Sequence, residues 1–117
     1  MVRLVQTEFG APRAAVLEAL QAEGIPCSAG YGFSLHEQPV FRRKTFGPFL
    51  PNASARLDYS RTSCLNSDLI CREQGVWLGQ NLFLGSRVDM DDIARAFEKV
   101  FENREALNQW SLKPTDP

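Results

Sequence analysis

Residues 23–41 read EGIPCSAGYGFSLHEQPVF, and the first four of them hold the turn on which the predicted fold depends. Gly24 can take the left-handed conformation just past the last turn of a helix, as in a Schellman closure. Pro26 then prevents the helix from restarting, so the chain must leave extended. The sequence therefore predicts a helix over residues 12–23 that ends at Gly24.

The same stretch continues with large apolar residues at every second position. Tyr31, Phe33 and Leu35 alternate with small or polar residues, which predicts a strand over residues 27–35 with one apolar face. Glycines flank Tyr31 on both sides and indicate a bulge, or a place where another group approaches the backbone closely. A short turn or helical turn is expected at Val40.

Weaker patterns on either side predict three more elements. Residues 1–6 are compatible with a short strand, and residues 76–78 form a compact apolar strand. Between them, a helix is predicted over residues 66–72. Either Asn66 or Ser67 is suited to cap its amino-terminal end.

The strongest helix pattern in the chain opens at Asp89. Asp92 follows three residues later and imitates a capping box, and both acids suit the positive end of the helix dipole. The apolar residues that follow recur at three- and four-residue spacing and so fall on one face. The predicted buried stripe is Met90, Ile93, Ala94, Phe97, Val100 and Phe101.

The order of these elements is strand, helix, strand, irregular loop, helix, strand and long helix. It predicts an α+β fold, with a small and mainly antiparallel sheet covered by helices on one side. A length of 117 residues suits one domain with its own core. We expect that domain to span residues 1–112 and residues 113–117 to form a disordered tail.

Composition argues against several classes of function. The formal net charge of -1 does not favour nucleic-acid binding, which needs a clustered basic face. The run Arg42-Arg43-Lys44 is short, and we expect it to be solvated surface. Three cysteines without a secretory signal, and no apolar run long enough for a membrane span, predict a cytoplasmic protein with no membrane partner.

His36 is the only histidine, so spacing reveals neither a zinc site nor a catalytic triad. Two interpretations of it stay open, a hydrogen-bonded structural residue and a ligand contact. The glycines form no phosphate-binding loop. Lys44, Lys99 and Lys113 all lie in solvated contexts, and although Lys44 has the cationic neighbours that can activate a Schiff-base lysine, it lacks a visible pocket.

Several motifs occur in order along nearly the whole chain. They are Ala22-Glu-Gly-Ile-Pro, Gly30-Tyr-Gly, Leu35-His36, Gln38-Pro-Val-Phe41, the segment over residues 71–80, Leu82-Phe-Leu-Gly85 and the helix over residues 89–100. Each motif is short, but the set is fairly specific. Together they resemble the carboxy-terminal small domain of the DegT/DnrJ/EryC1/StrS aminotransferases, which use pyridoxal phosphate and act on keto sugars or cyclitols.

The resemblance implies a fold like the carboxy-terminal small domain of fold-type I aminotransferases. In these enzymes a large domain carries the lysine that binds pyridoxal phosphate, and glutamate or glutamine gives the amino group. The chain begins near the start of such a small domain, so we expect it to bind no cofactor and not to transaminate without a separate large domain. Tyr31 and His36 are carried over as substrate contacts, and Ser34 stands where the family commonly has proline.

An alternative function is a stand-alone binding or self-associating structural module that has lost the enzymatic role. Without a large domain, apolar side chains would be left uncovered, and exposed apolar surface tends to become an interface. The residues that motivate this alternative are Phe46, Phe49, Leu82 and Phe83. Pairing with a second copy of the chain would cover them.

Overall fold

The computed structural model describes residues 1–47 and 57–111, which combine helices with a small sheet. Within these ranges the strands are β1 (Val2–Arg3), β2 (Cys27–Ser28) and β3 (Gly75–Leu78). The helices are α1 (Gln6–Phe9), α2 (Arg13–Ala22), α3 (Pro39–Arg42), α4 (Leu65–Leu69), α5 (Arg87–Glu102) and α6 (Arg104–Ser111). Two 3₁₀ turns, Leu35–Glu37 and Gln80–Leu84, and a π-helical turn, Ile70–Gln74, join them. None of the described helices is both long and apolar enough to cross a membrane, and the predicted tail lies outside the described residues.

β3 is the central strand of the sheet and pairs antiparallel with both of its neighbours. Val2 of β1 lies opposite Val76, and Cys27 of β2 lies opposite Leu78. The predicted mixture of helix and antiparallel strand is therefore confirmed. The strands predicted near the amino terminus and at residues 76–78 are confirmed as well.

The hydrophobic core lies where α2 and α5 meet β3. Val16, Leu20 and Val76 are completely buried, and burying a side chain of this size contributes about 1.5–3 kcal/mol. The buried apolar residues in the described ranges are Leu4, Ala11, Ala15, Val16, Leu20, Ile25, Val76, Ala96 and Val100. None of them comes from the described residues between Ile25 and Val76, so that part of the chain depends on other contacts.

α2 ends in a Schellman closure, as the sequence predicts. Gly24 has φ +84°, and its N–H donates to the Gln21 carbonyl at 3.0 Å, while the Ile25 N–H donates to the Leu20 carbonyl at 2.9 Å. The predicted stop at Gly24 is thus confirmed. At the other end, Pro12 is the N-cap residue with extended backbone and not the first residue of the helix.

α3 ends with the same pattern of hydrogen bonds but with lysine at the left-handed position. Lys44 has φ +55°, its N–H donates to the Phe41 carbonyl at 3.2 Å, and the Thr45 N–H donates to the Val40 carbonyl at 3.0 Å. Among the described residues it is the one non-glycine residue with positive φ. The contact between Cβ and the following carbonyl costs an L-residue about 1–2 kcal/mol here, so this lysine is held in a strained conformation.

α5 begins two residues before the predicted start at Asp89. Ser86 is its N-cap residue and forms a capping box, in which the Asp89 carboxylate accepts the Ser86 N–H at 2.6 Å and the Asp89 N–H donates to the Ser86 hydroxyl. Contacts with the Ser86 side chain and then its amide lower the pKa of Asp89. The prediction of Asp92 as the capping partner is wrong, because Asp92 pairs with Arg95 instead, at 3.1 Å.

The buried stripe of α5 is narrower than predicted. Four of its side chains face the core: Ile93, Ala96, Phe97 and Val100. Ala94 and Phe101, both predicted to be buried, are exposed, Met90 is only partly buried, and the buried Ala96 was not predicted. Ala94 and Phe101 lie seven residues apart at one edge of the stripe, where the Phe101 ring meets the Phe9 ring edge-on at 5.2 Å.

β2 ends at Ser28, so the predicted strand over residues 27–35 is wrong beyond its first two residues. Gly30 has φ +70° and turns the chain out of the sheet, and residues 31–34 are irregular. The Trp77 ring lies so close to Gly30 that a Cβ there would be 2.1 Å from the indole. The predicted close approach at a glycine is confirmed, and it ends the strand.

Replacing Gly30 with alanine should destabilise the fold by on the order of 2 kcal/mol, because the new Cβ meets both the Trp77 ring and an unfavourable φ. Gly32→Ala is the matched control, since a Cβ at Gly32 meets nothing within 4 Å and φ is not positive. Urea unfolding followed by circular dichroism measures both variants. Equal unfolding midpoints for the two would contradict the role given to Gly30.

Candidate functional site

The turn that carries His36 is held against one helical segment by polar contacts. Ser34 is 1% exposed and donates its hydroxyl hydrogen to Asp68 Oδ1. Three residues later, Glu37 accepts a hydrogen bond from Arg72. Because Asp68 and Arg72 are four residues apart, they project from the same side of that segment. They therefore hold the His36 turn at both ends.

The helical segment consists of α4 followed directly by the π-helical turn Ile70–Gln74. The helix predicted over residues 66–72 is present, but it begins one residue earlier. Its N-cap residue is Cys64 and not Asn66 or Ser67, and Cys64 makes no side-chain capping bond. π-helical turns are rare and often occur at functional sites. This one leads straight into β3.

Arg13, the first residue of α2, secures the end of this segment. Its guanidinium donates to the carbonyl of Cys71 at 3.2 Å, to that of Gly75 at 3.3 Å and to that of Arg72. The last carbonyls of a helix have no partner within it, and the five N–H donors of arginine can satisfy several at once. α2 belongs to the core, so the core fixes the position of the segment that holds the His36 turn.

His36 lies beside two cavities. Its side chain is 16% exposed, and Nε2 is 3.8 Å from Asp68 Oδ1, which is beyond hydrogen-bond length. The first cavity, of about 540 Å³ and here called the polar cavity, is lined by His36, Glu37, Phe41, Arg42, Lys44, Asp58, Tyr59, Ser60 and Thr62. The second, of about 270 Å³ and more apolar, is lined by Leu35, His36, Phe41, Tyr59, Thr62, Cys64 and Ser67. His36 thus contacts space that a ligand can enter.

Both carboxylates in the wall of the polar cavity have partners. Asp58 accepts hydrogen bonds from the Ser60 hydroxyl at 2.6 Å and the Ser60 amide at 3.0 Å, and these bonds, with the charge of Lys44, lower its pKa. Glu37 binds Arg72 through Oε1, whereas its shielded Oε2 has no hydrogen-bond partner among the described residues. Within the described ranges, no three His, Cys, Asp or Glu side chains are grouped to hold a metal ion.

Tyr31, the other predicted contact, lines neither cavity beside His36. Its ring is 63% exposed and meets the Trp77 ring edge-on at 5.4 Å. Tyr31 and His36 therefore lie on one segment but in different surroundings. Ser34, between them, has φ −67°, the value that proline imposes. The backbone here follows the path that a proline would fix.

Among the described residues of the site, no hydroxyl or thiol nucleophile is hydrogen-bonded to His36. The Ser34 hydroxyl is buried and bonded to Asp68, not to His36. Burial raises the pKa of Cys27, which keeps it as a thiol. What the site offers a ligand is an imidazole, hydroxyl groups, cationic side chains and aromatic rings.

Asp68, Glu37 and Arg72 are site residues that sequence reasoning missed. The signal for two of them was the four-residue spacing of Asp68 and Arg72 within a predicted helix. Their partners had no comparable signal, because Ser34 and Asp68 are 34 residues apart and meet only through folding.

Comparison with known proteins does not identify a relative. No family model, no curated protein and no solved structure matches the chain.

Replacing Ser34 with alanine should destabilise the fold by about 2 kcal/mol, because it removes a buried hydrogen bond to a carboxylate. Ser60→Ala is the matched control, since it removes the same kind of bond, to Asp58, at an exposed position. We expect little change in that variant. Urea unfolding of both proteins gives the comparison, and a loss in Ser60→Ala as large as in Ser34→Ala would contradict the role of Ser34.

Proposed function

We propose that this chain covers the substrate site of a pyridoxal-phosphate-dependent aminotransferase that acts on keto sugars or cyclitols. The cofactor and its Schiff-base lysine come from a large domain, either elsewhere in the same protein or in a partner chain. The motifs that resemble the small domain of the DegT-type aminotransferases support this proposal. One structural observation carries it: in residues 31–40 large apolar side chains are exposed while a polar side chain is buried.

Residues 31–40 place a polar side chain inward and apolar side chains outward. Ser34 is 1% exposed, whereas Tyr31 is 63%, Leu35 is 70% and Phe33 is 41% exposed. Leaving apolar area in water forgoes about 25 cal/mol per Å², and contiguous exposed apolar surface marks an interaction site. An exposed apolar segment of this kind suits a domain that closes over the substrate site of another domain or chain.

His36 and Tyr31 are the proposed substrate contacts. The imidazole of His36 faces the polar cavity with the Asp68 carboxylate beside it, and the phenol of Tyr31 extends from the exposed side of the segment. Both groups can donate or accept a hydrogen bond, as recognition of a keto or hydroxyl group requires. The large domain would complete the site between them.

The lysines in the described ranges do not fit a Schiff-base site. Lys99 is on the surface and pairs with Glu23 at 2.7 Å. Lys44 lies in the wall of an open cavity, near Asp58. A Schiff-base lysine needs a desolvated pocket or a cationic neighbour; Lys44 has Arg42 in the same wall, but its cavity is open to solvent. The proposal therefore assigns the cofactor to the large domain.

Fusing this chain to the large domain of a DegT-type aminotransferase, in place of that enzyme's own small domain, tests the proposal. We expect the fusion to transaminate a keto sugar. Within it, His36→Asn and Tyr31→Phe should each lower kcat/KM about tenfold, because each removes a substrate contact worth about 1.4 kcal/mol. Glu98→Gln, on the exposed side of α5, is the control and should leave kcat/KM unchanged.

Two results would contradict the proposal. One is a fusion that is folded by circular dichroism but has no transaminase activity. The other concerns the chain alone, mixed with pyridoxal phosphate, reduced with borohydride and weighed by mass spectrometry. A stoichiometric adduct on one lysine would place the cofactor site in this chain.

A self-associating module is the second candidate function, and it is favoured by a different exposed surface. Of the four residues first expected to be uncovered, Leu82 packs against the core, Phe46 meets the Phe41 and Tyr59 rings, and Phe49 lies outside the described residues. Phe83 is 50% exposed. Two nearby side chains are exposed as well, Leu84 at 76% and Val88 at 63%.

If the second candidate is right, the chain should form a dimer at high concentration that dissociates on dilution. Replacing Leu84 or Val88 with serine should weaken the dimer, because it removes apolar area from the interface. Leu65→Ser, at a 77% exposed position on α4, is the control. Sedimentation equilibrium measures all of them, and a strict monomer at every concentration would contradict self-association.

A further inference from the structure

The wall of the polar cavity includes two side chains of the basic run Arg42-Arg43-Lys44, which the sequence predicts to be solvated surface. Arg42 and Lys44 both line its wall, one at the end of α3 and one two residues later. The proposed covering function uses Tyr31 and His36; His36 lines the same cavity, but Arg42 and Lys44 have no part in that function. These two side chains make the cavity a candidate ligand site in the chain without a large domain.

The wall of the polar cavity carries two carboxylates as well as two cationic side chains. Glu37 is paired with Arg72, and Asp58 lies near the charge of Lys44, so each carboxylate has a cation beside it. Arg42, by contrast, makes no side-chain hydrogen bond or ion pair with any residue in the described ranges. An anion entering the cavity would thus meet a guanidinium that no described residue competes for.

The strained backbone of Lys44 is the second observation. Its left-handed position closes the Schellman pattern after α3, where glycine would be free of strain. Lysine there keeps an ammonium group in the cavity wall at the expense of local stability. Strain of this kind at a residue that lines a cavity points to a function for the side chain.

Aromatic rings and hydroxyl groups form another part of the wall of the polar cavity. The Phe41 and Tyr59 rings meet edge-on, with centroids 5.4 Å apart and planes at 72°, and both line the cavity. Such a pair offers a ring-shaped ligand an apolar surface. The Tyr59 and Thr62 hydroxyl groups can donate hydrogen bonds to an anion.

We propose that the polar cavity binds a phosphate monoester of a small ring compound, with the phosphate on Arg42 and Lys44 and the ring against Phe41 and Tyr59. A phosphate suits this wall better than a carboxylate does, because it has three acceptor oxygens and carries more than one charge at neutral pH. The arginine fork can hold two oxygens, and the lysine acts as a point charge on the third. The cavity volume of about 540 Å³ is within the range of small-molecule sites.

Titrating the chain with phenyl phosphate, phenol and inorganic phosphate, followed by amide NMR shifts, tests the site. Phenyl phosphate should bind at least about tenfold more tightly than either of the other two, a difference of about 1.4 kcal/mol. The shifted amides should lie in residues 36–44 and 58–62. Raising the salt concentration should weaken binding, because the phosphate contact is partly screened.

Variants assign the contacts. Arg42→Gln and Lys44→Gln should each weaken phenyl phosphate binding about tenfold, the equivalent of about 1.4 kcal/mol. Lys44→Gly should weaken it as much while raising the melting temperature, because glycine relieves the positive φ. Arg87→Gln is the control, since Arg87 is 93% exposed on α5 and should not affect binding.

Four outcomes would overturn the proposal. They are the absence of binding, phenol binding as tightly as phenyl phosphate, inorganic phosphate binding as tightly as phenyl phosphate, and a Lys44→Gly protein that is more stable but binds unchanged. The Lys44→Gly variant separates a ligand contact from a structural role. If it is more stable and binds more weakly, as expected, a loss of stability cannot explain the weaker binding. None of these outcomes depends on a large domain, so failure here leaves the covering function standing, and an inactive fusion leaves the phosphate site standing.

Discussion

The contact between the Arg13 guanidinium and the carbonyls of Cys71, Arg72 and Gly75 is the interaction on which the rest of the structure depends. It joins the first turn of a core helix to the end of the π-helical turn and the start of the central strand. The position of Asp68 and Arg72 follows from it, and with them the position of the His36 turn. Together with Arg3, whose guanidinium donates to the Gln74 side chain at 2.6 Å, Arg13 thereby connects the apolar core to the polar half of the molecule that carries the His36 turn.

The two halves are stabilised differently. The core side chains come from residues 4–25 and 76–100, whereas the described residues between them bury mainly Ser34 and are held by hydrogen bonds and ring contacts. Segments with few buried apolar contacts open at lower free energy than a core does. The candidate site lies in that half, where side chains can rearrange on binding without unfolding the sheet.

Local patterns were sufficient where one residue decides the structure, and they failed where distant residues decide it. Gly24 ends α2 as predicted, because the closure involves only its neighbours. The strand predicted over residues 27–35 failed, since Trp77, remote in sequence, lies against Gly30 where the chain leaves the sheet. His36 was identified as a candidate from its residue type, but its neighbour Asp68 was not, because nothing local to either residue specifies that they meet.

The shortness of β1 and β2 has a consequence for how this molecule can meet any partner. Both are edge strands of two residues, so each edge exposes very little unpaired backbone. A long open edge is a template for aggregation and for strand addition by another chain. Within residues 1–47 and 57–111, neither edge strand offers enough backbone for these routes, so a partner that docked at this sheet would be recognised by side chains.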